Sequence, residues 1–231
     1  MKELYCQEVG LEYKDYKTRK SSTVGPDITE AKLSSLYQLI EFIGLDRNVA
    51  EEGIFRKNGT IRKEKELLER IEKGEGGEEL WMDLLEGEFS AHECASVLKK
   101  FLANLTEPLV TAGCYTAWLQ VADIQDYDVR LQATQLLLEL IPRQYLRLLK
   151  DLLFLLNGVA QREEENKMTA YNLGLMFSTH ILCPKDLPPE QQVASHVQVA
   201  RATTFMIENP TQLFTLSEKL LAEVEIFISS R

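Results

Sequence analysis

Between Tyr145 and Ala160 the chain places Leu148, Leu149, Leu152, Leu155, Leu156 and Val159 at three- and four-residue steps. A helix spaced in this way carries an apolar face too broad to leave in water, so other elements must cover it. The rest of the chain supplies helices for that purpose. Leu33, Leu36, Tyr37, Ile40 and Ile43 repeat at helical steps, and Gly44 is placed to end the run. Ile61 to Lys73 reads as a second helix, closed by Gly74, with Leu67, Leu68 and Ile71 inward. Glu66/Arg70 and Glu69/Lys73 are expected as i,i+4 pairs on its outer side. Ser90 and Glu93 have the spacing of a capping box ahead of Val97, Leu98, Phe101 and Leu102. EPLVTAGCYTAWLQVADI reads as a helix with a loose start, and Leu131 to Ile141 as another. Pro142 suits the first turn of the Tyr145–Ala160 helix. MTAYNLGLMFSTHIL, capped by Thr169, then Val193–Glu208 and Gln212–Ile228 complete the set. The acidic stretch 72–89, the charged run QREEENK and the segment PKDLPPEQQ read as connections. With no alternating strand pair, no repeat period and no heptad run, the expected fold class is all-α, a bundle of about eight or nine helices.

Composition narrows the function classes. The chain has 231 residues, 45% of them hydrophobic, enough for a sizeable core. Lys plus Arg number 26 and Asp plus Glu 36, a net charge of −10, which disfavours general binding to nucleic acid or an anionic membrane. Cys6, Cys94, Cys114 and Cys183 are scattered, with no CxxC pair, and the three histidines form no HxxxH pair. Buried thiols in a reducing compartment are therefore expected, and no metal site. The charged N-terminus lacks an apolar signal core, and no apolar run reaches membrane-spanning length. These features suit a cytoplasmic protein, with a nuclear fraction compatible with them. Residues 1–27, ending near Gly-Pro, read as an irregular lead-in, and 28–231 as the folded domain, taken as monomeric.

The segment EEGIFRKNGTIRKEK holds the most informative loop. Asn58-Gly59 is a hairpin signal, but helices flank it and Ile54-Phe55 is too short for a strand. A phosphate loop needs GxxxxGK followed by Ser or Thr, whereas here five residues separate Gly53 from Gly59 and Thr60 stands where Lys is required. The remaining reading anchors Ile54 and Phe55 in the core and presents Arg56. Asn58-Gly59 would make a tight turn using positive φ at the glycine, and Thr60 or Asn58 would cap the next helix. Residues 56–63 carry Arg56, Lys57, Arg62 and Lys63 without an acid, a basic patch on an acidic chain. On the local residues alone, Arg56 as a presented group and Arg56 as a solvated loop residue both remain open.

Three motifs in order, EEGIFRKNG, VLKKFLANLTEPLV and ENKMTAYNLGLMF, resemble those of Rho GTPase-activating (RhoGAP) domains. They lie within Gly53–Leu182, and the helical pattern extends the likeness over about 28–228. The resemblance implies an all-helical domain that binds a GTP-loaded Rho, Rac or Cdc42 protein and accelerates its GTP hydrolysis. Arg56 would be the arginine finger inserted beside the phosphates. Lys99 would support the GTPase contact, and Lys57 would face the partner. Asn166 and Asn172 match family positions that serve either as contacts or as loop and helix supports, and His180 stands where an interface Asn is common. Ala103 replaces a frequent family Arg. The resemblance implies no cofactor of the chain's own, because GTP and Mg2+ belong to the partner, and no independent active site. Ala103 and His180 motivate a rival reading, a RhoGAP-fold binding module with weak catalytic effect, and leave the preferred GTPase open.

Overall fold

Thr29 starts the first helix by accepting the Lys32 amide on its hydroxyl. The computed structural model describes residues 29–215. Helix α1 (Glu30–Ile43) is followed by the single turn α2 (Asp46–Val49), α3 (Ile61–Lys73), α4 (Glu78–Glu86) and α5 (Ala91–Asn104). A 3-10 turn (Ala112–Cys114) leads to α6 (Tyr115–Ala122), α7 (Tyr127–Leu138), α8 (Arg143–Ala160) and the short α9 (Glu163–Asn166). The chain closes with α10 (Ala170–Ile181), α11 (Pro189–Glu208) and α12 (Pro210–Phe214). Among the described residues there is no strand, and no helix is long and apolar enough to cross a membrane.

Helix α8 takes the central place its apolar face demands. Leu148, Leu149, Leu152, Leu156 and Val159 have no exposed surface, and α1, α10, α11 and α12 pack around them. The Ser90–Glu93 capping box forms at the start of α5, as its spacing implies. Thr169 likewise caps α10, accepting the Asn172 amide at 3.0 Å.

Several local expectations are corrected. The acidic connection over 72–89 contains α4, because Leu80 and Leu84, four residues apart, bury completely against the core. Periodicity in two leucines outweighs an acidic composition. The pairs Glu66/Arg70 and Glu69/Lys73 do not form. Arg70 instead reaches across to Asp83 of α4 at 2.7 Å, Lys65 approaches Glu69, and Lys73 approaches Glu75. A half-buried cross-helix partner competes better than a solvated one on the same helix. Helix α7 begins at Tyr127, because the Asp126 carboxylate accepts the Val129 amide and fixes the start there. Pro142 precedes the first turn of α8 as its cap residue. Part of the QREEENK run turns into α9, and α11 starts at Pro189, four residues before Val193. The lead-in 1–27 and most of the expected helix Gln212–Ile228 lie outside the described residues.

Candidate functional site

The loop between α2 and α3 is anchored at both ends, with Arg56 between the anchors. Ile54 and Phe55 are wholly buried. The Phe55 ring meets the Phe177 ring of α10 edge-on, with centroids 5.0 Å apart, an arrangement that suits the opposed charge of ring edge and face. Upstream, the Gly53 amide donates to the Asn166 carbonyl at 2.7 Å, and the Gly53 carbonyl accepts from the Arg56 and Lys57 amides at 2.8 Å. The tight turn therefore lies at Gly53–Lys57. Gly53 has φ +74, and Phe55 itself adopts φ 67, a left-handed backbone that a bulky residue holds only under constraint.

This corrects the placing of the turn at Asn58-Gly59. Gly59 has no left-handed torsion and is needed for a different reason. A Cβ there would stand 2.2 Å from Glu93 Cγ, and 2.9 Å from the Glu93 Cα and N. The expected caps are corrected too. Thr60 occupies the cap position of α3, but its side chain makes no capping bond. Asn58 accepts a 3.5 Å bond from the Ser96 hydroxyl. Two carboxylates hold this end instead, Glu64 accepting the Gly59 amide at 2.9 Å and Glu93 accepting the Thr60 amide at 3.0 Å.

The Arg56 side chain is exposed, and among the described residues its guanidinium has no hydrogen-bond or ion-pair partner. Its basic neighbours are partly neutralised. Lys57 pairs with Glu52 at 2.9 Å, which holds the Glu52 carboxyl below its usual range. Lys63 stands 3.5 Å from the Glu88 carboxylate. Arg62 is exposed beside them.

Lys99 lies half-buried on α5, and its ammonium donates to the Phe55 carbonyl. Burial pushes its pKa down, against the pull of the nearby Glu64 carboxylate. His180 on α10 shares this neighbourhood, with its ring 6.5 Å from that of Phe177. Burial depresses its pKa, helped by the Lys99 and Lys185 charges. Lys185 donates to the Ala103 carbonyl at 2.6 Å, so an ammonium stands at the end of α5 where an Arg side chain is missing. Asn172 is exposed in the first turn of α10.

The side chain of Asn166 is not placed for contact with a partner, which leaves the loop support of its two alternatives. It is 0% exposed, and its amide nitrogen donates to the Val49 and Val159 carbonyls at 2.8 and 2.7 Å. Its side-chain oxygen accepts the Met168 amide at 2.8 Å. A side chain with its capacity used internally is a loop support, and through its carbonyl it also holds Gly53. Pro108 is buried, and its carbonyl accepts the Thr111 amide at 2.9 Å.

Sequence reasoning missed Glu64 and Lys185 altogether, and it saw Glu93 only as a capping residue. Glu64 carries a signal in hindsight, sitting at the helical step before Leu67 and Leu68 on the inward side of α3. The assembled group has one unpaired guanidinium, a half-buried ammonium and an imidazole around one loop. Such an arrangement can receive and stabilise concentrated negative charge.

A family model described as RhoGAP domain matches residues 34–186. The chain is 34% identical over 210 residues to Rho GTPase-activating protein 19 of Homo sapiens, covering 86% of this chain and 41% of that protein. It is 32% identical over 193 residues to Rho GTPase-activating protein gacN of Dictyostelium discoideum, covering 83% of this chain and 30% of that protein. It thus spans well under half the length of these relatives. Among solved structures, the BH domain from GRAF, the GTPase regulator associated with focal adhesion kinase, superposes with a TM-score of 0.71 at 21% identity, covering 82% of this chain and 98% of that one. Human Rho GTPase activating protein 15 gives 0.67 at 21% identity, covering 78% and 82%. These two show likeness of fold.

Proposed function

The chain belongs to the RhoGAP domain family, and from that premise we propose that it binds a GTP-loaded Rho-family GTPase and accelerates GTP hydrolysis with Arg56 as an arginine finger. The observation that carries this reading is the state of Arg56, an exposed guanidinium without a hydrogen-bond or ion-pair partner among the described residues, set on a backbone held at Phe55 just before it and at Gly59 three residues after it. Phosphoryl transfer spreads charge over the phosphate oxygens and leaves the protein mainly a positioning and charge-stabilising task. A planar, permanently protonated guanidinium meets that task with several donors in fixed geometry, which lysine cannot match. The nucleotide and its magnesium belong to the partner. Arg56 contributes charge and directed hydrogen bonds, and no covalent step occurs on this chain. Lys57, Lys99, Asn172 and His180 are the proposed partner-facing or supporting side chains around it.

The test is single-turnover GTP hydrolysis by Rho, Rac and Cdc42 proteins with wild type and Arg56→Ala. Acceleration of at least one of them is expected, on the scale of about 10³–10⁵ for a complete finger. Arg56→Ala should remove most of it while a GTP-analogue complex still forms. No response across the panel would end this reading. The second reading, a binding module, draws on Ala103 and on the histidine at 180. Tight binding to the analogue-loaded GTPase with unchanged hydrolysis by wild type would select it.

A further inference from the structure

We propose that Glu64 and Glu93 form a two-carboxylate bracket that positions Arg56 by locking the exit of its loop onto α5. The proposal rests on Arg56 acting as the finger. Each carboxylate uses its two oxygens in opposite directions. One oxygen of Glu64 accepts the Gly59 amide at 2.9 Å, and the other accepts the Lys100 ammonium of α5 at 2.5 Å. One oxygen of Glu93, itself on α5, accepts the Thr60 amide at 3.0 Å, and the other accepts the Ser90 amide at 2.8 Å. Both residues are nearly inaccessible, at 3% and 4% exposure.

Two buried carboxylates side by side at one loop exit are costly, since each must replace its hydration with bonds. A pair of apolar side chains would fill the same space without that cost, but could not fix two successive amides. The missing Cβ at Gly59 belongs to the same device, because any side chain there would collide with Glu93. Ionisation agrees with the geometry. Burial alone would raise both pKa values, yet both are lowered, Glu64 through Lys100, Ser96 and the Gly59 amide, and Glu93 through the Ser90 and Thr60 groups. The other end of the loop is held from α5 as well, by Lys99 on the Phe55 carbonyl. Arg56, Lys57 and Asn58 therefore span two points fixed to one rigid helix. Misplacing a catalytic group by about 1 Å costs on the order of 100-fold in rate.

Gln is the discriminating replacement, because it keeps the shape but has only one acceptor oxygen, so it can hold the amide or grip α5, and not both. Amide hydrogen exchange on the chain alone should show Gly59 and Thr60 protected in wild type, and exchanging at least about tenfold faster in the Glu64→Gln and Glu93→Gln pair. With the responsive GTPase at saturating domain, acceleration should fall about tenfold, while the half-saturating concentration stays within about twofold. In an Arg56→Ala background the same pair should have no further effect on rate. Unchanged exchange at both amides overturns the bracket. A rate loss that persists undiminished in the Arg56→Ala background overturns its link to Arg56. If wild type accelerates no GTPase, the functional reading fails separately, and the exchange result still decides whether the carboxylates hold the loop.

Discussion

The Lys99 ammonium donates to the Phe55 carbonyl, the peptide group that leads directly into Arg56. Lys99→Met keeps the apolar stem and removes the donor, so it should lower stability by about 1 kcal/mol. Arg56→Ala removes an exposed side chain without a hydrogen-bond or ion-pair partner among the described residues, and should stay within about 0.5 kcal/mol of wild type. Urea unfolding of the two variants checks this. Equal losses would mean that Lys99 is not tied to the loop.

Phe55 combines complete burial with a left-handed backbone, φ 67. Replacing it by Ala removes the ring from Phe177 and should cost about 3–5 kcal/mol. Phe55→Gly loses the same ring but is relieved of a backbone penalty of about 1–2 kcal/mol. After the entropy that Gly adds to the unfolded chain, the Gly variant should still be the more stable of the two by about 0.5–1 kcal/mol. Thermal or urea unfolding would show the inverted order. If Ala is the more stable, the torsion is not a strain held by ring packing.

Gly59→Ala should destabilise by about 1–3 kcal/mol through overlap with Glu93, with no backbone strain involved. In a Glu93→Ala background the cost should shrink without vanishing, because the Cα and N of residue 93 remain 2.9 Å from the new methyl. Additive effects in this cycle would place the penalty elsewhere.

His180 should titrate below 6.5, because burial and the Lys99 and Lys185 charges oppose its protonation. Its folded pKa lies below its unfolded one, so its contribution is fully present above about 6.5 and is lost as pH falls through the folded value. Imidazole proton shifts followed by NMR give the midpoint. Lys99→Met should move it upward, and a midpoint at or above 6.5 in wild type would contradict the burial.

For Glu64 and Glu93 the folded pKa values lie below the usual carboxylate range. Their stabilisation is present above about pH 4.3 and lost as pH falls through the folded values. Glu93→Gln should therefore flatten the acid side of a stability-versus-pH curve, while differing from wild type by a near-constant amount between about pH 6 and 8. An unaltered acid slope would show that Glu93 does not stay ionised in the fold.

Most of the helical framework was legible because burial follows periodicity. The repeats in α1, α3, α5 and α8 mark their inward faces, and Ser90 with Glu93, and Thr169, mark two of the starts. Helix α4 was obscured because only Leu80 and Leu84 carry its buried stripe, amid acids and glycines. The loop was legible as far as its anchor, since Ile54 and Phe55 stand next to Arg56 in the chain. Its far end was not. The bonds from Thr60 to Glu93 and from Phe55 to Lys99 span 33 and 44 residues, and no local pattern encodes a pairing made by tertiary packing. The choice between the two roles of Asn166 was hidden for the same reason, since its partner Val49 lies 117 residues away.

On the proposed reading, the backbone held on either side of Arg56 sets how much motion is left to lose when a GTPase docks. A slack loop would lose conformational entropy worth about 1–2 kcal/mol for every residue ordered on contact. With Phe55, Gly59 and Thr60 already held, the freedom left in the segment is chiefly rotation in the long Arg56 side chain, about 2 kcal/mol. Much of the main-chain ordering is thus completed during folding, and on the proposed reading of Arg56 as a finger a larger part of the docking energy is left to distinguish one phosphate charge distribution from another.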